Sequence, residues 1–281
     1  VTDARSSDDR LRDSVDRPSS ARVYDYILGG THHYAIDRDF AERQLAIMPE
    51  MRLAMQANRA FLGRAVRYAV DQGVRQFVDI GSGLPTVGNV HEVADEAAPG
   101  QCRVVYVDNE PIARAHAEIL LADTADPDRH RALLGDFFDH ARLWDEIVAT
   151  GLIDRTRPTC LLVVGILHFM PPERDPEASL AFYRERLAPG SLLVLSHGSR
   201  RADDAQQREV ERNYQQTTNR MHLRTAEEFL PFFGDWTLAE PGIVPAARWR
   251  PDAATRFADD PDRAPVLAGV ARKGGDGSAT A

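Results

Sequence analysis

Phe77-Val78-Asp79-Ile80-Gly81-Ser82-Gly83-Leu84-Pro85-Thr86 runs from an apolar segment through an acid into a glycine turn. That profile is a buried strand entering a turn, with residues suited to a helix beyond it. In an open parallel sheet such a turn lies past the carboxyl end of the strand, where glycine lets the backbone approach a ligand closely. Two phosphate-binding patterns fail here. A dinucleotide fingerprint would need a third glycine where Thr86 stands, and a P-loop would need a Gly-Lys-Ser/Thr sequence that does not follow. Asp79, just ahead of the glycines, suits a ligand that carries an ammonium group.

Downstream of this turn short apolar runs alternate with helical periods, as in a parallel α/β sheet. Strands are predicted over residues 76–80, 103–107, 132–134, 161–167 and 191–195, and helices over 87–97, 111–121, 141–149 and 177–187. Helices over 203–216 and 225–233 follow, then two more strands, 236–239 and 265–271, separated by a loop rich in Pro, Arg and Asp in which Arg248-Trp249-Arg250 either borders the substrate mouth or, as expected, is solvated. Upstream, Ser19 and Ser20 can cap a short helix that Gly29-Gly30 ends, and helical stretches cover 37–48 and 49–72. Three helices are too few for a core of their own, so they are expected to lie across the carboxyl edge of the sheet as a cover. The predicted organisation is a solvated leader (1–17), a helical cover (18–73), an α/β core (74–273) and a flexible tail (274–281).

Composition bounds the partners. The 281 residues are 43% hydrophobic and 27% charged, with 34 Lys+Arg against 43 Asp+Glu and a net charge of -9. An extended basic footprint for nucleic acid is not expected from that balance; a small polar or cationic ligand fits better. Lys273 is the only lysine, which removes Schiff-base and phosphate-binding lysine chemistry from the body of the chain. Cys102 and Cys160 have neither paired nor metal-type spacing, so no metal site is expected. The longest apolar run, 160–167, is far shorter than the roughly 20 residues that span a bilayer. A cytoplasmic protein with no membrane contact is expected, with a homodimer through the N-terminal helices left open.

Two further acids follow predicted strands. Val104-Val-Tyr-Val-Asp108-Asn109-Glu110 places Asp108 where a carboxylate can accept both hydroxyls of a ribose, or cap the helix that begins at Pro111. Leu133-Leu-Gly-Asp136-Phe137-Phe138 places Asp136 where it can accept from an exocyclic amine such as adenine N6, with Phe137 against the ring. Together the three acids describe a nucleoside pocket.

The series Asp79-Ile-Gly81-Ser-Gly83, Asp108, Gly135-Asp136 and Gly165-Ile-Leu-His168 resembles the ordered motifs of class I S-adenosylmethionine (SAM)-dependent methyltransferases. More narrowly, Ala21-Arg-Val-Tyr-Asp-Tyr-Ile-Leu-Gly-Gly30, Asn58-Arg-Ala-Phe61, Gly83-Leu-Pro-Thr86 and Ser196-His-Gly-Ser199 resemble a bacterial family called S-adenosyl methyltransferase, formerly a domain of unknown function. The resemblance implies a Rossmann-like, seven-stranded, mostly parallel sheet with its last strand antiparallel. It implies SAM as cofactor, S-adenosylhomocysteine (SAH) as product, and no particular acceptor. Carried over residue by residue, it puts Gly81, Ser82 and Gly83 beside the methionine part of SAM, Asp79 near its ammonium, Asp108 and Asn109 at the ribose, and Asp136 and Phe137 at the adenine. Gly165, Ile166 and Leu167 would line the remainder. Tyr24, Tyr26, Gly30 and Arg59 can close over the cofactor, although tyrosines at helical spacing serve packing at least as often. Thr31-His32-His33 departs from the family pattern in the N-terminal loop.

Methyl transfer from a sulfonium is an in-line displacement, so positioning and proton removal are most of what a protein supplies. The candidate bases are His168, His197 and, in the cover, His32 or His33. Lone histidines are more often structural, His222 and the Arg200-Arg201 pair read as solvent-facing, and no amide-methylation or nucleophilic cysteine motif is present. The leading expectation is methyl transfer to a small-molecule acceptor. A SAM-binding module without catalysis is the main alternative, and a nicotinamide oxidoreductase on the same layer plan is a third.

Overall fold

The computed structural model describes residues 16–84, 88–201, 204–215, 217, 220–255, 260 and 263–275. The chain begins with α1 (Ser20–Leu28), α2 (Ala35–Ile47) and α3 (Glu50–Asp71). Alternation follows: β1 (Gln76–Ile80), α4 (Val90–Ala97), β2 (Arg103–Asp108), α5 (Pro111–Thr124), β3 (His130–Leu134), α6 (His140–Ala149), β4 (Thr159–Val163), α7 (Pro176–Arg186) and β5 (Leu192–Gly198). Then come α8 (Ala205–Tyr214), the single turn α9 (Ala226–Phe229), two short strands β6 (Thr237–Leu238) and β7 (Val244–Pro245), and β8 (Val266–Arg272). The ends are set by local chemistry. Pro111 and Pro176 open α5 and α7, Asn89 and Glu92 form a capping box on α4, and Gly29 at φ +87° closes α1.

The sheet order is β3-β2-β1-β4-β5-β8-β6, with β7 also paired to β8. Strands β1 to β5 are mutually parallel and β8 runs antiparallel to β5, β6 and β7. The last strand is therefore antiparallel as expected, but it lies between β5 and β6, and the two-residue β7 makes an eighth strand. Strand order reverses between β1 and β4, and an open sheet binds ligands beyond the carboxyl ends at such a switch point.

Both faces of the sheet are covered, so its strands are continuous apolar runs rather than alternating ones. One face packs Phe77, Val104, Leu162 and Val194 against Phe61, Ala65 and Val66 of α3; the other packs Val78, Val105, Leu161 and Leu193 against Leu143, Ile147, Leu180 and Tyr183 of α6 and α7. The long α3 is thus a layer of the sheet for most of its length as well as part of the cover. A third cluster joins Val23, Ile27, Phe40, Ala41, Met48 and Met51 to Val210 and Tyr214 of α8 and to Met221 and Leu223. The N-terminal helices thus have no core of their own; they share a small one whose other half α8 and the segment after it supply.

The cover is pinned by a buried ion triad. Arg22, with no exposed surface, donates through Nε to Asp37 Oδ2 at 2.7 Å and through a terminal nitrogen to Glu110 Oε1 at 2.6 Å. Ser19 stands at the N-cap of α1, yet its hydroxyl does not cap; it donates to Glu110, while its backbone N–H donates to Asp37. Glu110 follows β2, so the triad ties the first two helices to the turn that carries Asp108.

Three other segments differ from expectation. β4 ends at Val163, since Gly165 adopts φ +76° and Leu167 begins a single 3-10 turn. Trp249, expected in a solvated loop, is wholly buried against Phe61, and Arg64 of α3 donates to the carbonyls of Trp249 and Ala246. His222 lies against the fold rather than in solvent, its N–H donating to the His168 carbonyl at 2.6 Å. Among the described residues no helix is long and apolar enough to cross a membrane. The starts of the helices expected at 87 and 203, and the leader before residue 16, lie outside the described residues.

Candidate functional site

A cavity of about 400 Å³ opens at the switch point, within the range of small-molecule and cofactor sites. Its floor is the glycine turn after β1. Gly81 and Ser82 donate their N–H groups to the Val107 carbonyl at 2.7 and 3.1 Å, which lays the turn against the end of β2. Gly81 sits at φ +71°, a left-handed conformation that favours glycine, and a Cβ there would stand 2.5 Å from Ile166 Cδ1 and displace that side chain.

Asp79 lines this cavity on the side of the sheet that faces α3. Its carboxyl is 6% exposed and has no hydrogen-bond partner among the described residues. Burial pushes its pKa up to about 7, the Arg59 guanidinium opposing that rise and Asp108 adding to it. Asp108 is held differently. Its Oδ2 accepts the Gly83 N–H and its Oδ1 the Glu110 N–H, each at 2.8 Å. Burial raises it to about 6, against the pull of those N–H groups. A buried carboxylate pays for lost hydration unless a cation or donors replace the water. Asp108 has donors of its own. Asp79 has none, so a cationic group is the natural complement.

On the far side the cavity is walled by Asp136, Phe137 and Phe138. Phe137 is buried and stacked on Tyr183, and Asp136 Oδ1 accepts the Phe138 N–H at 3.0 Å. Arg174 reaches Asp136 Oδ2 at 3.0 Å while lying over the Phe138 ring at 3.9 Å. The β4 side is fixed by a relay of neutral polar groups. The Gly165 N–H donates to Ser196 Oγ at 2.8 Å, Ser196 donates to Asn58 Oδ1 at 2.6 Å, and Asn58 Nδ2 donates to Tyr24 Oη at 3.1 Å.

The structure therefore brings Asp79, Gly81, Ser82, Gly83, Asp108, Asn109, Asp136, Phe137, Gly165, Ile166 and Arg59 to one cavity. It does not bring Leu167, Tyr26 or Gly30 there. Leu167 is buried in the core on the α6 side of the sheet. The Tyr26 hydroxyl donates to Glu42, and Gly30 packs on Asp25. His33 does not line the cavity either; its Nδ1 lies 3.2 Å from Asp25 Oδ2 and its ring meets Tyr26 edge to face. These outer residues support Asp25, which does line the cavity and keeps Oδ1 buried without a partner among the described residues.

His168 and His197 line a second cavity next door. His197 is wholly buried, with Nδ1 at 2.7 Å from the Gly198 carbonyl and Nε2 at 2.8 Å from Arg224. His168 Nδ1 accepts the Gly198 N–H at 3.3 Å, and burial together with Arg224 lowers its pKa to about 3. Both rings are neutral near pH 7. Sequence reasoning missed Ser20, Ala21, Asp25, Asn58, Glu110, Phe138 and Arg174 as lining residues. Asn58 lay in a quoted motif, so its signal was visible; Arg174 reaches the site only because a 3-10 turn folds it back, and no local pattern marks that.

Solved structures are similar to this chain. A DUF574 family protein from Streptomyces avermitilis is 37% identical over 93% of this chain and 100% of that one, with a TM-score of 0.87. A provisionally assigned methyltransferase from Thermobifida fusca is 34% identical over 94% of this chain and 97% of its own, with a TM-score of 0.85. An O-methyltransferase family protein from Burkholderia thailandensis, 12% identical over 95% of this chain and 69% of that one, shares the fold at a TM-score of 0.55. No curated protein matches the sequence. The model of the S-adenosyl methyltransferase family matches residues 7–274, nearly the whole chain, and the chain belongs to that family.

Proposed function

We propose that this protein is an enzyme that transfers the methyl group of SAM to a small-molecule acceptor, releasing SAH. The observation that carries the reading is Asp79, an almost wholly buried carboxyl that faces the cavity with no hydrogen-bond partner among the described residues. The ammonium of an amino-acid moiety satisfies it. SAM fits the remaining residues too: Asp108 stands at the end of β2 where a ribose can lie, and Asp136 with Phe137 stands at the end of β3 where an adenine can. When bound, SAM supplies an electrophilic methyl on a sulfonium centre.

The chain's own part is to bind, orient and exclude water. Asp79 holds the charged end of the cofactor, and the glycine turn brings backbone to it. The Gly165 turn, fixed through Ser196 and Asn58, forms the wall between the two cavities. Orientation of this kind supplies much of the catalysis of an in-line displacement. His168 and His197, both neutral and already hydrogen-bonded, fit positioning better than general-base work, because a base is most effective with a pKa near the working pH.

Calorimetry with SAM and SAH tests the binding step. Both are expected to bind, with Asp108→Ala weakening both. Absence of binding refutes the proposal. Conversion of SAM to SAH with an acceptor separates an enzyme from a module that only binds the cofactor.

A further inference from the structure

The second cavity lies between the cover and the sheet and shares Ser20, Tyr24, Asn58, Gly165 and Phe169 with the first. Anything seated in it therefore lies against the cofactor cavity. Its chemistry is the opposite of its neighbour's. Five acids, Asp25, Asp79, Asp108, Glu110 and Asp136, line the first cavity, whereas no Asp, Glu, Lys or Arg is among the described residues that line the second.

Methionine placement is the other observation. The chain has five methionines. Met48, Met51, Met55 and Met221 line the second cavity and Met170 lines the first. Methionine is flexible and polarizable, adapts to irregular apolar surfaces and makes favourable contacts with ring edges. Aromatic rings line the same cavity: Phe169 packs against His168 at 4.3 Å and against Tyr214 at 5.6 Å between centroids. A flat, apolar guest suits such walls.

We propose that the second cavity is the acceptor site, and that it takes an uncharged single-ring phenol. The proposal rests on the methyl-transfer reading of the first cavity. Exclusion of charge follows from the walls, since an ion moved into an apolar site without a partner loses its hydration uncompensated. Size follows from the space. The cavity holds about 90 Å³. A dry cavity of roughly 150 Å³ holds benzene, so one ring enters once a methionine side chain turns aside. A hydroxyl on that ring meets the polar groups of the cavity, among them His168, whose Nδ1 already accepts from Gly198 so that the neutral ring carries its proton on Nε2. In the transfer an oxygen lone pair of the phenol forms the new C–O bond, the C–S bond breaks with its electron pair passing to sulfur, and the hydroxyl proton leaves to solvent water. The products are the methyl ether, SAH and one proton.

The test uses the full chain. SAH is titrated first; failure to bind overturns the methyl-transfer reading and this proposal with it. SAH-saturated protein is then titrated with 4-ethylphenol and with 4-hydroxyphenylacetate and tyramine, which place a charge on the same ring. The neutral phenol is expected to bind, and each charged analogue to bind at least about tenfold more weakly. With SAM in place of SAH, 4-ethylphenol is expected to give its methyl ether by mass spectrometry. Met51→Ala and Met221→Ala are expected to shift preference toward a two-ring phenol by about tenfold. Protein that binds SAH but no phenol, or binds charged and neutral analogues alike, overturns the acceptor assignment and leaves the cofactor assignment standing. The wild-type comparison carries the test by itself where a variant fails to fold.

Discussion

Lowering the pH from 7 to 5 is expected to weaken SAM binding by about 50-fold through Asp79 alone. The argument starts from burial, which lifts this carboxyl to about 7 in the free protein. Its ionised form is the one that pairs with an ammonium. At pH 7 about half of the molecules carry that charge and at pH 5 about one in a hundred, while the ammonium, an α-amino group with a pKa of about 7.7–8.0, stays charged throughout. The sign is therefore fixed: affinity rises with pH up to about 7. Asp108, raised to about 6, adds a shallower dependence of the same sign. Asp79→Asn separates the two. It is expected to lose the steep part of the profile and to bind about 10–100-fold more weakly at pH 7, the worth of a charge-assisted hydrogen bond. Isothermal titration of SAH at pH 5, 6 and 7 reads both effects, and 5′-methylthioadenosine, which lacks the amino acid, is the control that should show no Asp79 dependence. Superimposable profiles for the wild type and Asp79→Asn would refute the ammonium assignment.

The same carboxyl burdens the free protein. A raised pKa means the native state holds the proton over the window from 3.8 to about 7, so its contribution to stability falls as pH rises through that window, and Asp79→Asn should stabilise the cofactor-free chain by up to about 4 kcal/mol at pH 8 in urea unfolding. Arg22→Ala removes the cation shared by the wholly buried Asp37 and the part-buried Glu110 and should cost about 3–5 kcal/mol, with weaker SAH binding because Glu110 adjoins the Asp108 turn. Burial beside His91 lowers His130 to about 4, so stability should fall by up to about 3 kcal/mol as pH drops from 6.5 to 4, and thermal melts of His130→Leu should lose that limb. Gly165→Ala places a Cβ 2.8 Å from Asn58 Nδ2 at φ +76°, and should cost about 1–3 kcal/mol together with SAH affinity, both measurable by denaturation and calorimetry.

Much of the cofactor cavity was legible because it is written locally. An acid or glycine that follows a short apolar run lies at a strand's carboxyl end, and β1, β2, β3 and β4 each announce themselves in this way through Asp79, Asp108, Asp136 and Gly165. What failed needed three dimensions. Leu167 read as strand because the apolar run from Cys160 continues through it, although Gly165 at φ +76° has already turned the chain. The small core of the cover was invisible because its two halves are far apart in sequence: Asn213 of α8 hydrogen-bonds Gln44 of α2 across 169 positions. Trp249 sits in a Pro- and Arg-rich segment and looked solvated; Arg64, a helix away, satisfies the carbonyls that let it be buried. Tyr26 and Gly30 belong to a specific sequence pattern, and His33 to the loop that departs from it, yet all three lie behind Asp25 rather than at the cavity: Gly30 and His33 pack on Asp25, and Tyr26 packs on His33.

The distribution of charge follows from these same elements. The net charge of -9 says nothing about where the acids lie. In the fold, Asp25, Asp79, Asp108, Glu110 and Asp136 converge on one cavity from α1 and the ends of three strands, while the adjoining cavity is walled by methionines, aromatic rings and neutral histidines. The boundary between them is the relay from Tyr24 through Asn58 and Ser196 to Gly165, and burial raises the Tyr24 hydroxyl, keeping it neutral as well. Asn58 lies on α3 where that helix passes from the small core of the cover to the large core of the sheet. One helix thus sets the spacing of both cavities. A cation and an uncharged guest are selected side by side because the first cavity takes carboxylates from strand ends, where turns can hydrogen-bond them, whereas the second combines methionines and rings of the packed helices with neutral polar groups of β5 that already have partners.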